Sequence, residues 1–169
     1  MEWNSFKVID DYLPKKDFIN IRDKLSSSDF SWFLNKYVAL PTSKDGLYFT
    51  HTFYRNYLPN SNDFTLLTPL LNKFNPTSLI RVKANLYPKT SKIFEHNKHV
   101  DIHDDLNKPI VHKGFIFYIN TNNGFTRLQN GEKIKSIENR ALFFESHKLH
   151  NSSTCTDESV RININFNYF

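Results

Sequence analysis

The sequence has 169 residues, which is long enough to bury one hydrophobic core and fits a single domain over residues 1–169. Its net charge of +5 comes from 22 basic and 17 acidic residues scattered along the chain, so it gives no concentrated basic surface for nucleic acid. The single cysteine, Cys155, excludes an internal disulfide and a cysteine-based zinc cluster. No apolar run reaches membrane-spanning length, and no signal-peptide pattern follows Met1, so we expect a cytoplasmic protein with no membrane partner.

The N-terminal part of the chain predicts a strand and then a helix. Residues Phe6–Ile9 are a short strand candidate. The apolar residues beyond Pro14 recur at steps of three and four, which predicts a helix over about residues 15–26. These apolar residues are Phe18, Ile21 and Leu25.

The next segment predicts another strand and another helix. Residues 32–40 are aromatic and ambiguous, whereas residues 47–54 are rich in aromatics and threonine and predict a strand. Ser61 can cap a helix that Pro69 would shorten or bend. The apolar positions of this helix are Phe64, Leu67, Leu71 and Phe74.

Short strands dominate the rest of the chain. We expect them over residues 79–87, 93–101, 112–120, 124–128, 132–136, 140–145 and 158–168. Helices followed by many short strands indicate a mainly β fold with N-terminal helices against one face, that is, a double-stranded β-helix or jelly-roll. The Asn-Gly pairs at Gly124 and Gly131 predict tight turns, so we expect these glycines to have a conformational role.

The motif His99-Val100-Asp101 is a candidate for part of an iron site. In an extended segment, residues two apart project from the same face, so this His and this Asp can reach one metal ion. Two imidazoles and one carboxylate suit Fe(II) and leave positions open for a chelating substrate and O2. A second histidine would come from His147 or His150, after the Phe143-Phe144 pair.

The chain also offers competing histidines. His103 and Asp105 form a second His-x-Asp pair, but they lie in a polar segment that predicts a turn, where side chains two apart need not share a face. We therefore prefer His99 with Asp101 and expect His96 to be a bystander.

The last strand alternates strictly between polar and apolar residues. Its apolar face should pack against the helices, and its polar face, which Arg161 begins, should line the interior of the barrel. A guanidinium there can hold a carboxylate through two hydrogen bonds. Without the upstream His-x-Asp and His motifs, an Arg paired with a surface acid would be the favoured interpretation.

The order of these motifs resembles the Fe(II)- and 2-oxoglutarate-dependent oxygenases, and the local sequences resemble their prolyl hydroxylase branch, as in small stand-alone bacterial and phage members. The resemblance covers residues 79–169. The blocks that carry it are residues 115–120 with 123–126, residues 139–144 and residues 160–169.

The resemblance implies iron ligands and a cosubstrate clamp. His150, which precedes a small polar turn, would join His99 and Asp101 on Fe(II), and His147 would be a surface residue. Arg161 and Tyr118 would bind the distal carboxylate of 2-oxoglutarate, with Tyr87 a weaker candidate that we expect to be a core tyrosine.

The implied activity is that of a 2-oxoglutarate-dependent dioxygenase. It would use O2 to hydroxylate a C–H bond, with a prolyl residue of a peptide or protein as the expected substrate, and release succinate and CO2. The alternatives are a free amino acid or other small molecule as substrate, or a catalytically silent jelly-roll binding module. A phage-encoded member would work in the host cytoplasm.

Overall fold

The computed structural model describes residues 6–38 and 46–169, and antiparallel strands form most of it. In chain order the strands are β1 (Phe6–Ile9), β2 (Phe33–Asn35), β3 (Tyr48–Arg55), β4 (Leu58–Pro59), β5 (Leu79–Pro88), β6 (Lys113–Tyr118), β7 (Phe125–Arg127), β8 (Lys133–Lys135), β9 (Ala141–Phe144), β10 (Asn151–Ser152) and β11 (Val160–Tyr168). The helices are α1 (Lys15–Leu25), a 3-10 helix (Asn62–Leu67) and α2 (Thr68–Phe74).

The strands make two sheets. The eight-stranded sheet has the order β1-β9-β6-β11-β5-β3-β2, with β4 paired to β3, and the three-stranded sheet has the order β10-β7-β8. Every strand pairing is antiparallel. The predicted jelly-roll class with N-terminal helices is confirmed.

The helices lie where the periodicity places them. Helix α1 begins after Pro14 and buries the three predicted apolar residues. Ser61 caps the next helix by accepting a hydrogen bond from the backbone N–H of Asp63. That helix is divided in two: the first part is 3-10, and Pro69 lies in the first turn of α2. Proline has no N–H to donate, so the division confirms its expected effect.

Strand β11 separates the two environments of the large sheet. Ile162, Ile164 and Phe166 belong to the hydrophobic core that also contains the apolar residues of α1 and α2. The alternate residues from Arg161 to Asn167 are buried on the other face, toward the small sheet. A second, smaller apolar cluster around Ile116, Leu128 and Ile134 joins the two sheets.

Some predicted strands differ from those observed. The expected strand over residues 93–101 is wrong as a continuous element, because this segment makes only isolated bridges at Glu95 and His99. Its apolar residues Ile93 and Phe94 are exposed. Strands β4 and β10 were not expected. Of the ambiguous residues 32–40, three form β2, and residues 39–40 lie outside the described part. Within the described ranges, no helix has the length and apolar character needed to cross a membrane.

Candidate active site

Three side chains converge on the inner face of the large sheet: His99, Asp101 and His150. Their potential ligand atoms all lie within 4.8 Å of one another. Backbone pairing brings the two histidines together, since the N–H of His99 donates to the carbonyl of His150 at 2.9 Å and the reverse bond is 3.0 Å. The backbone N–H of Asp101 donates to the carbonyl of Ser146 at 3.3 Å.

Both imidazoles are oriented by their Nδ1 atoms. Nδ1 of His99 lies 3.2 Å from the carbonyl oxygen of Asn97, and Nδ1 of His150 lies 2.9 Å from that of Lys148. A carbonyl oxygen only accepts, so each Nδ1 carries a proton, and in the neutral form of such a ring Nε2 has the free lone pair. The two Nε2 atoms each lie 3.7 Å from a carboxylate oxygen of Asp101. Histidines that ligate a metal are commonly oriented in this way.

The carboxylate of Asp101 is buried and held by three donors. Oδ2 accepts from the side-chain amides of Asn165 at 3.0 Å and Asn167 at 2.9 Å. Oδ1 accepts from Nη2 of Arg81 at 3.3 Å. Because a carboxylate oxygen can accept two bonds, Oδ1 retains a free lone pair in this arrangement.

Protonation states at pH 7 favour a cation at this position. Burial, followed by the neighbouring His150, lowers the pKa of His99 to about 4, so its imidazole is neutral. Burial alone would raise the pKa of Asp101, but His150 and the guanidinium of Arg81 outweigh it and hold this pKa below its ordinary value. The cluster therefore presents an anionic oxygen and a neutral nitrogen.

The other histidines lie elsewhere. His103 and Asp105 are exposed, and the turn around them is closed by Asp104, whose Oδ1 accepts from two backbone N–H groups. His96 is buried with its Nδ1 2.8 Å from the hydroxyl of Ser152. Nδ1 of His147 lies 3.0 Å from the carbonyl oxygen of His112. His96, His103 and His147 are all outside the group of possible metal ligands found among the described residues.

Arg161 is the largest fully buried side chain in the described part of the chain. Nη1 donates to the carbonyl of Ser153 at 3.4 Å, and Nη2 donates to the hydroxyl of Thr126 at 3.2 Å. Nε has no hydrogen-bond partner. No carboxylate of residues 6–38 or 46–169 lies within 4 Å of this guanidinium, so the surface ion pair is not what is observed.

Two tyrosines flank the Arg161 guanidinium. Its carbon lies 5.3 Å from the ring centroid of Tyr87 and 5.8 Å from that of Tyr118. The Tyr118 hydroxyl donates to Thr126 at 2.8 Å, and burial raises its pKa, so this hydroxyl is protonated. Tyr87 is also buried, as expected for a core tyrosine, but it lies directly opposite Arg161 in the β5–β11 pairing.

Gly124 has a different role from the predicted one. Gly131 has the positive φ of 91° that its turn needs, whereas Gly124 is not among the positive-φ glycines. A Cβ on Gly124 would lie 2.6 Å from Cδ of Arg161 and 2.8 Å from the carbonyl oxygen of Thr154. The missing side chain at Gly124 makes room for Arg161, so this glycine has a packing role.

Sequence reasoning missed two cations, Arg81 and Lys83. They occupy alternate positions of β5, opposite Asn167 and Asn165 of β11. A signal was present, because polar residues recur at every second position from Arg81 to Tyr87. Asn85, which was a possible liner of the interior, donates to Oδ1 of Asn163 at 3.0 Å.

Comparison with solved structures identifies the fold. A prolyl hydroxylase from Trichoplax adhaerens in complex with a hypoxia inducible factor oxygen degradation domain peptide aligns with 98% of this chain and 84% of its own, at 16% identity and a TM-score of 0.72. A viral collagen prolyl hydroxylase of Paramecium Bursaria Chlorella virus-1, in complex with 2-oxoglutarate, aligns over 97% and 95%, at 16% identity and a TM-score of 0.56. HygX from Streptomyces hygroscopicus, with nickel, 2-oxoglutarate and hygromycin B bound, aligns over 97% and 82%, at 13% identity and a TM-score of 0.59.

These likenesses show that the chain has the fold of the Fe(II)- and 2-oxoglutarate-dependent oxygenases, including prolyl hydroxylases. No protein-family model and no curated protein matches the sequence.

Proposed function

We propose that this chain is a single-domain dioxygenase, dependent on Fe(II) and 2-oxoglutarate, that hydroxylates a prolyl residue of a peptide or protein. Bound iron and 2-oxoglutarate would supply the oxidising chemistry: O2 delivers one oxygen atom to a substrate C–H bond and the other to succinate, with loss of CO2. The protein supplies ligands, orientation and a charge-matched cavity.

His99, Asp101 and His150 fit Fe(II) as its protein ligands. The set contains two imidazole nitrogens and one carboxylate, which is the donor set that non-haem iron oxygenases use while leaving positions open. Both imidazoles have their proton fixed on Nδ1, and Asp101 keeps a free lone pair on Oδ1. The amides of Asn165 and Asn167 would prevent the carboxylate from rotating.

The observation that carries the proposal is the buried and unneutralised Arg161. A fully buried guanidinium with an unpaired Nε and only two long hydrogen bonds is costly without an anion. It shares the inner face of β11 with Asn165, whose amide holds Asp101. A dicarboxylic acid such as 2-oxoglutarate could place one end at the metal and the other at Arg161. The Tyr118 hydroxyl would be a second donor once its hydrogen turned from Thr126 to the carboxylate.

The choice of a peptidyl substrate rests on the likeness to prolyl hydroxylases, one of which was solved with a peptide. The rival interpretation is a jelly-roll binding module without chemistry. Such a module has no need for an iron-type ligand set beside a buried Arg161, which is why we favour the enzyme.

A spectroscopic experiment tests the proposal. Anaerobic addition of Fe(II) and 2-oxoglutarate should produce a visible charge-transfer band, and a binding module would stay colourless. His150→Ala should lose the band, while His147→Ala, whose imidazole lies outside the cluster, should keep it. A peptide screen should then show a mass increase of one oxygen atom. A colourless parent protein would contradict the proposal.

A further inference from the structure

A group of cations lies beside the proposed metal site, on the inner face of β3 and β5. Residues directly opposite in antiparallel strands project to the same face. Arg81 is opposite Asn167 and Lys83 is opposite Asn165, and both of these amides reach the carboxylate of Asp101. In the β3–β5 pairing, Arg55 is in turn opposite Arg81. We call Arg55, Arg81 and Lys83 the cation cluster.

The described residues neutralise only one member of the cation cluster. Arg81 lies 3.3 Å from Oδ1 of Asp101. No carboxylate in the described ranges lies within 4 Å of Lys83 or Arg55. The Lys83 ammonium instead lies 5.7 Å from the ring centroid of Tyr48. That contact with an aromatic face is weak compensation for a charge.

The surroundings of Lys83 disfavour its charge. The side chain is partly buried on β5. Burial, and then the positive charge of Arg81, lower the pKa of Lys83 to about 7, although Asp101 opposes the effect. A protein that keeps such a lysine beside two arginines bears a cost that an incoming anion would remove.

The cosubstrate does not meet this need under the proposed function. The two negative charges of 2-oxoglutarate would be matched by Arg161 and by iron, whose charge Asp101 offsets only in part. The cation cluster would remain positive after both had bound. Apart from O2, which carries no charge, the remaining molecule to enter the site is the substrate.

We propose that the cation cluster binds a carboxylate of the substrate, and that the substrate class is an acidic peptide with Asp or Glu close to the hydroxylated residue. This inference rests on the proposed function. It makes Lys83 a specificity-determining residue that touches the substrate near the reacting carbon, with Arg55 acting farther out.

The shape of the surface favours a peptide over a small acid. The cation cluster extends from partly buried Lys83 to exposed Arg55. Arg55 borders a groove of about 580 Å³ along β3, whose lining also includes Thr50, Thr52 and Asn60. Thr52 is opposite Lys83, so the groove leads toward the cluster. One acid, Asp63, lies in the lining as well, 3.9 Å from the ammonium of Lys24.

The test is a binding screen with proline-centred hexapeptides. In one set the flanking residues are Asp and Glu, and in the other they are the isosteric Asn and Gln. Anaerobic protein with Fe(II) and 2-oxoglutarate should bind the acidic set about tenfold to a hundredfold more tightly, as expected for a charge-assisted hydrogen bond. Equal binding of the two sets, or binding of neither, would overturn the inference.

Single-residue variants test which side chains cause the preference for acidic peptides. Lys83→Met should remove most of the preference for acidic peptides, and Lys83→Arg should restore it. Lys16→Met is the matched control, because it removes one positive charge from an exposed position of α1 and should keep the preference. If Lys83→Met fails to fold, Arg55→Met at an exposed position should still weaken the preference. Unchanged preference in both Lys83→Met and Arg55→Met would refute the assignment.

Two further outcomes are distinguishable. N-acetylglutamate that binds as tightly as the acidic peptides would overturn the peptide as the substrate class. A parent protein that lacks the charge-transfer band contradicts the proposed function, whereas a parent protein that has the band but prefers neither peptide set contradicts this inference alone.

Discussion

Replacing Arg161 with methionine separates a cosubstrate anchor from an ordinary core residue. Methionine keeps much of the side-chain volume and removes the guanidinium. In the structure this group is fully buried, with bonds of 3.4 Å to Ser153 and 3.2 Å to Thr126 and none at Nε. Both bonds are longer than the typical 2.9–3.0 Å, so little hydrogen bonding is lost with the side chain.

The expected effect on 2-oxoglutarate affinity is large. Leaving one member of a buried ion pair without its partner costs about 3–5 kcal/mol. At about 1.4 kcal/mol per factor of ten, the affinity of Arg161→Met for 2-oxoglutarate should fall by about a hundredfold to a few thousandfold. Iron binding should change little, because Arg161 is not among the possible metal ligands.

The thermal stability of ligand-free Arg161→Met should increase or stay unchanged, although its cosubstrate affinity falls. Replacing a buried charge with an apolar side chain is often neutral or stabilising. The Tm of Arg161→Met without ligands should therefore equal or exceed that of the parent, by about 2–4 °C for each kcal/mol gained. A purely structural Arg161 predicts the opposite, a lower Tm with unchanged cosubstrate affinity.

The assay is an anaerobic titration of 2-oxoglutarate into the Fe(II) protein, followed by the charge-transfer band. Arg22→Met serves as the control, since Arg22 is a half-buried residue of α1 whose one ion pair among residues 6–38 and 46–169 is with the neighbouring Asp23. Parent-like affinity in Arg161→Met would mean that β11 does not hold the cosubstrate, and the functional interpretation of this strand would be refuted.

Three more predictions concern single side chains. His99→Ala should abolish Fe(II)-dependent decarboxylation of 2-oxoglutarate, while exposed His103→Ala retains it; the reverse pattern would assign the iron to His103 and Asp105 instead. Tyr118→Phe should weaken 2-oxoglutarate binding by about 1.5–3 kcal/mol in the same titration, less than Arg161→Met, and a larger loss would contradict that order. Lys83→Met should raise the Tm of the ligand-free protein at pH 6, where the lysine with a pKa of about 7 is charged, and by less at pH 9, where it is neutral. A Tm that falls at both pH values would mean that Lys83 is a structural residue.

The alternating strands were the most predictable part of the fold. In β11 the apolar residues face the helices and the polar residues face the interior of the barrel. This pattern is visible in the sequence because the two faces of the strand contact different surroundings, one apolar and one polar. Helix α1 was predictable for the same reason at a period of 3.6 residues.

The segment that carries the candidate ligands was less predictable. Residues 93–101 were expected to form a strand, yet only Glu95 and His99 make bridges, and Phe94 is exposed. The pairing of His99 with His150 joins positions far apart in the chain, and no local pattern encodes it. Their juxtaposition could be expected only from the resemblance to a known family.

Side-chain environments across strands were the least predictable. Arg81 and Lys83 belong to a strand whose alternation was visible, but their proximity to Asp101 depends on the register between β5 and β11. The role of Gly124 depends on the path of the Arg161 side chain, and the Asn-Gly pair suggested a turn instead. Both are consequences of tertiary packing.

The hydrophobic core fixes the register between β5 and β11, and this register brings the residues of the candidate site together. Val82 and Ala84 of β5 and Ile164 and Phe166 of β11 are buried against the helices. A slip of one residue would turn these side chains toward the interior and the polar side chains, including Arg161, toward the helix core. Burying charged groups there without partners is far more costly than any local gain. The residues that give this protein its stability therefore also hold the proposed iron ligands, the cosubstrate anchor and the cation cluster on one face.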